Sequence, residues 1–152
     1  MGLELFSLTH SIRQSQVVAY SPRQMFDLVN DIASYPLFLD WVKSATVKRA
    51  GDRYMEASLE VGLGGFSKSF TTHNRLQANS CIELELVSGP FKQFKGAWYF
   101  EEKAPDLTNV ILEIDFEISL SPLSKVFGIM FKEVSLRQLN AFLARAKVVY
   151  GN

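Results

Sequence analysis

The side chains that most often carry out covalent or metal chemistry are scarce in this chain: two histidines, His10 and His73, and a single cysteine, Cys81. A hydrolytic centre needs a nucleophile, a base and a group to orient the base, and a zinc site needs several ligands at short, regular spacing. Neither pattern is present. His73 shares a predicted strand face with Thr71 and Arg75, opposite Phe70, Thr72 and Asn74, and reads as a surface residue. Glu56, Glu83, Glu85, Glu113, Asp115 and Glu117 likewise alternate with apolar neighbours, which puts their carboxylates on solvent faces and leaves no acid or base for an interior site. Gly62-Leu-Gly-Gly65 has the look of a phosphate cradle, but a strand follows it where that chemistry needs a helix N-terminus, so it reads as a hairpin connection. The expectation is a binding protein, with no catalytic residue and no metal ligand.

What the chain offers in quantity is apolar and aromatic surface, including twelve phenylalanines. Phe70, Leu84, Leu86, Phe94, Trp98, Phe100, Leu112, Ile114 and Phe116 from strands, and Phe127, Met130, Phe131 and Val134 from the last helix, point at one interior. They either fill it or line a hollow for an apolar ligand. Four polar residues fall on the same inner arcs, Thr72, Asn74, Gln138 and Arg145. Buried polar groups need partners, so these are candidates to hold a ligand's polar head; Arg145, near the helix end, has the alternative of snorkelling or pairing with a carboxylate. Lys43, Lys48 and Arg49 gather near one hairpin, and Lys92 and Lys95 near Gly89-Pro90. Such clusters suit phosphate contacts, although a charge run is as readily a solvated face.

The elements that position these residues follow from period and punctuation. An extended segment over 11–20 leads to Ser21-Pro22-Arg23-Gln24, where Ser21 can cap, Pro22 suits the first helical position and Gln24 completes a capping box. Met25, Phe26, Val29 and Ile32 recur at helical spacing, and Ser34-Tyr35-Pro36 opens a second short helix through Leu37, Phe38 and Trp41. Between 42 and 120 the period is two, with turn signals at Ala50-Gly51-Asp52, 62–65, Asn79-Ser80, Gly89-Pro90 and Ala104-Pro105-Asp106, which predicts six strands. Ser121-Pro122 then opens a helix to about Tyr150, with Leu123, Phe127, Met130, Phe131, Val134, Ala141, Phe142, Val148 and Val149 on its inner arc. The fold class is α+β, a curved seven-stranded antiparallel sheet around a long C-terminal helix. Residues 1–10 read as a flexible leader and 11–152 as a single domain.

The totals set outer limits. Sixteen basic and sixteen acidic residues cancel, so no overall charge points to nucleic acid or an anionic surface. A lone cysteine and the lack of an Asn-x-Ser/Thr sequon favour a reducing, cytoplasmic setting. The first ten residues have no basic region preceding an apolar run, and no stretch reaches the roughly 18 apolar residues of a membrane span. The expectation is a monomer with at most peripheral membrane contact.

Several segments, in order, resemble the polyketide cyclase and START-like superfamily, and within it the coenzyme Q-binding branch. They are Tyr20-Ser-Pro-Arg-Gln-Met-Phe-Asp-Leu-Val-Asn30, Tyr35-Pro-Leu-Phe-Leu39, Phe66-Ser-Lys-Ser-Phe-Thr-Thr-His-Asn74, Gly89-Pro-Phe-Lys92, Gly96-Ala-Trp98, Asp115-Phe-Glu117 and Phe131-Lys-Glu133. The resemblance covers about residues 12–150 and implies a helix-grip fold with an apolar cavity under the C-terminal helix. It implies a ligand such as ubiquinone or another isoprenoid lipid and, from a bacterial toxin in that branch, contact with the large ribosomal subunit that blocks subunit association. A quinone chaperone without ribosome contact, or an aromatase/cyclase, are the alternatives on this fold. Where the branch often has Pro-Trp-Cys, this chain has Asp40-Trp41-Val42, so no thiol role transfers.

Overall fold

The computed structural model describes residues 7–151. Seven strands run in the order β1 (Ser7–Val18), β2 (Val42–Ala50), β3 (Tyr54–Leu63), β4 (Phe66–Gln77), β5 (Cys81–Ser88), β6 (Gln93–Ala104) and β7 (Leu107–Ser119). Helix α1 (Pro22–Asn30) and a 3-10 helix (Ile32–Leu37) follow β1, and α2 (Pro122–Tyr150) closes the chain. All pairings are antiparallel, and β1 returns beside β7 to give the order β1-β7-β6-β5-β4-β3-β2. The expected α+β helix-grip architecture is the one observed. One limit shifts: residues 7–10 of the expected leader form the start of β1, with His10 opposite Phe116, because the Phe116 to Ser119 end of β7 needs a partner for its backbone groups on this edge. The rest of the leader, 1–6, lies outside the described residues.

Local chemistry explains the element starts. Ser21 Oγ accepts from Gln24 N (3.1 Å) while Gln24 Oε1 accepts from Ser21 N (2.8 Å), the reciprocal capping box, with Pro22 in the first turn. Gly64, at φ 63°, turns β3 into β4. Alternation in β7 is nearly complete, with Val110, Leu112, Ile114, Phe116 and Ile118 buried on the concave face. On the convex face Glu113 pairs with Arg13 (2.6 Å) and Asp115 accepts from Ser11 (2.5 Å). Because the strand period is two, this register fixes which face meets the helix.

Helix α2 spans 29 residues, about 44 Å at about 1.5 Å per residue. Its buried arc is Phe127, Gly128, Met130, Phe131, Val134, Ser135, Leu139, Phe142 and Ala146. Leu123, Val148 and Val149, expected on that arc, are exposed. The last turn leaves the sheet and docks on α1, where Tyr150 Oη donates to Gln24 O (2.8 Å) and Tyr20 Oη to Gly151 O (2.5 Å).

Candidate functional site

The concave face and α2 enclose two different interiors. Near the N-terminal half of α2 six phenylalanines, Phe70, Phe91, Phe94, Phe116, Phe127 and Phe131, pack mostly edge to face with ring centroids 4.9 to 6.0 Å apart. Such geometry suits the ring quadrupoles and leaves a filled plug. Phe91 is delivered by the β5–β6 connection, where Gly89 has φ 155° and a Cβ would collide with Phe70. Only glycine allows that turn to lie so close to β4.

Beyond the plug, toward the middle of α2, lies a cavity of about 80 Å³. Its walls include Phe70, Leu84, Phe94, Trp98, Leu112, Ile114, Phe131 and Val134, all expected from strand alternation or helical position, together with the polar Thr72, Asn74 and Gln138. Five expected lining residues are elsewhere. Phe116, Phe127 and Met130 belong to the filled end, Phe100 packs against Phe26 under α1 (5.9 Å), and Leu86 packs at the margin of the core. Arg145 is also outside the cavity lining: it is half-buried, with its guanidinium 5.2 Å from the Phe38 ring centroid, a cation–π contact.

The lining contains residues that alternation on the sheet did not supply. Val29, Asn30, Ile32 and Tyr35 come from α1 and the 3-10 helix, Trp41 from the turn before β2, Val42 from the first position of β2, Ala57, Leu59 and Val61 from β3 and Ser135 from α2, beside Ile82, which shares the alternating inner row of β5 with Leu84. The signal available for the first group was the apolar i, i+3 pattern of α1, which identifies a buried face but not what it faces.

Polarity in this cavity is concentrated on few atoms. Thr72 Oγ1 donates to Asn74 Oδ1 (2.8 Å), and Trp41 Nε1 donates to Gln138 Oε1 (3.2 Å), a bond that joins the turn before β2 to α2. Asn30 Oδ1 is buried without a donor, which makes it an acceptor that a ligand hydroxyl or amide could satisfy. Apolar walls with amide and hydroxyl groups at a few points suit a ring with polar substituents. The volume is smaller than the roughly 150 Å³ that admits benzene in a preformed apolar cavity, so a prenylated ring requires the walls to part. Among the lining residues Tyr35 is the only one that titrates. Its hydroxyl donates to Val29 O (2.5 Å), and burial, with a smaller contribution from the Asp31 charge, raises its pKa far above the ordinary value. It is locked as a neutral donor, a poor general acid or base near neutrality.

The remaining sequence candidates lie outside. His10 is in β1 with its ring 5.0 Å from Phe116, and its pKa is lowered by burial and then by the Lys132 charge. His73 stacks on Tyr54 on the convex face (5.7 Å). Cys81 is buried at the start of β5, where desolvation raises the thiol pKa. Lys43, Lys48 and Arg49 are exposed along β2, with Arg49 bound to Glu56 (3.1 Å). Lys92 and Lys95 are exposed near the start of β6, Lys95 in register with Glu85 and Asp115. Strands β3, β4 and β5 separate the two groups, about 19 Å at about 4.8 Å per strand, so they form two patches.

Comparison with known proteins gives a consistent assignment. The family model described as polyketide cyclase / dehydrase and lipid transport matches residues 18–143. The ribosome association toxin RatA of Vibrio cholerae is 40% identical over 140 residues, covering 92% of this chain and 97% of that protein. The mitochondrial coenzyme Q-binding protein COQ10 of Drosophila melanogaster is 25% identical, over 88% of this chain and 57% of its own length. Among solved structures, the Zhui aromatase/cyclase of a Streptomyces species superposes with a TM-score of 0.79 at 16% identity, covering 92% of this chain and 94% of that one; that likeness concerns the fold. With the matched model, the RatA-type sequence identity and the helix-grip architecture in agreement, the chain belongs to the polyketide cyclase / dehydrase and lipid transport family.

Proposed function

We propose that this protein binds an apolar ring-bearing small molecule, a quinone or related isoprenoid, between the sheet and the middle of α2, and does no chemistry on it. The observation that carries this reading is the cavity itself, apolar on most sides, with a few polar side chains, Thr72, Asn74, Asn30, Ser135 and Gln138, beside the already bonded Trp41 indole and Tyr35 hydroxyl. The carboxylates that a cyclase would need are on the convex face, as Glu113 and Asp115 illustrate. The COQ10 relative, named for coenzyme Q binding, supports the quinone class. Native mass spectrometry of the purified protein, followed by solvent extraction, tests it: a bound isoprenoid quinone is expected, and a protein that stays ligand-free when short-chain quinones are added would refute the reading.

The 40% identity to a protein named ribosome association toxin, across nearly the whole of both chains, favours a second activity, contact with the large ribosomal subunit that opposes subunit association. The exposed Lys43 and Lys48 on β2 are the better contact candidates, since Arg49 is already paired with Glu56 and Lys95 faces carboxylates. Adding the protein to dissociated subunits should shrink the reassociated peak in a sucrose gradient, less so at higher salt because phosphate contacts release counterions. Charge reversal at Lys43 and Lys48 should weaken that effect and leave quinone binding intact. Unchanged gradients over a range of protein concentrations would remove the ribosomal activity and leave the ligand reading standing.

A further inference from the structure

Helix α2 is apolar on its outer side as well as on its inner one. Leu123, Val126, Ile129 and Leu136 are 66%, 50%, 69% and 42% exposed. Val126, Ile129, Glu133 and Leu136 are spaced three, four and three residues apart, which stacks them along one outward stripe. Glu133, the one acid of the helix, is held by Arg137 at 2.6 Å. Lys125 and Lys132, exposed and seven residues apart on the flank of that stripe, make no ion pair among the described residues. The helix carries five basic residues against Glu133 alone, a net of +4, in a chain whose total is zero. Two exposed lysines without an ion pair therefore flank an uncovered aliphatic stripe on a helix of net positive charge.

From this placement we infer that the outer face of α2 docks on an anionic lipid bilayer. The inference goes beyond the proposed function and does not depend on which ligand the cavity takes. A bilayer interface accepts both halves of the pattern, with aliphatic side chains in the acyl boundary and lysines reaching anionic head groups. RNA would satisfy the lysines but desolvate Val126, Ile129 and Leu136 against phosphate for no gain. A second copy placed face to face by two-fold symmetry would oppose two basic helices. Since the other side of α2 is a wall of the cavity, docking would bring that wall to the phase in which isoprenoid ligands dissolve.

Vesicle flotation of the full chain tests this, with vesicles of phosphatidylcholine alone or of an equal mixture with phosphatidylglycerol. The wild type should float with the mixed vesicles and far less with neutral ones. The exposed pair Val126→Gln and Ile129→Gln should cut partitioning by about tenfold or more, since about two aliphatic side chains lose their burial. Lys125→Gln with Lys132→Gln should reduce it and flatten its salt dependence. Circular dichroism and quinone binding of both pairs should match the wild type, which separates failure here from failure of the ligand reading. No partitioning of the wild type, or partitioning untouched by Val126→Gln and Ile129→Gln, would overturn the inference. So would loss of a dimer in light scattering, or of ribosome retention, in that pair without any vesicle binding by the wild type.

Discussion

Tyr35 and Gly128 are two residues whose roles rest on a handful of atoms. Tyr35 is buried, its phenol pKa is raised by burial, and its hydroxyl holds the Val29 carbonyl in the last turn of α1. In the unfolded chain the phenol ionises near 10.0, whereas the fold retains the proton, so the associated stability is fully present below that pH and declines progressively as the pH rises from there toward the higher folded value. Urea midpoints should fall above about pH 10, and Tyr35→Phe should remove part of that slope while costing about 1 kcal/mol at neutrality; an unchanged alkaline slope in the variant would refute the assignment. Gly128 lets α2 approach β7 so closely that a Cβ there would overlap the Ile118 side chain, which is fully buried. Gly128→Ala should therefore destabilise by about 1 to 3 kcal/mol from overpacking, despite a gain of about 1 kcal/mol in helix propensity. Adding Ile118→Val, which deletes the overlapped methyl, should restore much of the loss. Strict additivity of the two substitutions would count against the contact. At this scale the sequence reveals that Gly128 sits in a helix where glycine is costly, but not that Ile118 is the reason, because the partner lies across a tertiary contact.

The elements differ in how much of them the chain discloses. Strand β7 alternates so regularly that its buried row was legible residue by residue, and with it the convex position of Glu113 and Asp115. Helix α2 was legible in extent, since Pro122 and Gly151 bracket it, but not in orientation. A helix apolar all round has only a weak 3.6-residue signal, and the inner arc drawn from sequence drifted to Leu123, Val148 and Val149 while missing Ser135, Leu139 and Ala146. The same blur merged the plug and the cavity, which alternation alone does not separate. Substitutions at the two ends of α2 should separate them. Phe127, 1% exposed and in the plug, should cost about 3 to 5 kcal/mol on truncation to Ala, with quinone affinity retained in the folded fraction. Ala57, a small residue in the β3 wall of the cavity, should give the opposite result as Ala57→Leu: quinone uptake lost, with stability unchanged or raised by up to about 2 kcal/mol through cavity filling. If both variants lose stability and binding together, plug and cavity are one unit.

For the molecule as a whole, the order strand, two short helices, six strands and long helix was readable from the change of period. What no local pattern could supply was the size of the enclosed space, since 80 Å³ is a small difference between large packed volumes. The cavity is covered on one side by α2, which is tied to the turn before β2 by Gln138 and Trp41, to β1 by Gln14 donating to Leu136 O (3.0 Å), and at its end by Tyr150 and Tyr20. A chamber narrower than its guest makes the clock of exchange a property of the host. Ligands of different affinity should leave at rates that converge on one first-order limit set by separation of α2 from the sheet, independent of competitor concentration. Stopped-flow displacement with a series of short-chain quinones would measure this, and Trp41→Phe, which removes the indole donor to Gln138, should raise that common limit; release rates that instead scale with each ligand's affinity would mean that the chamber is open before the ligand departs.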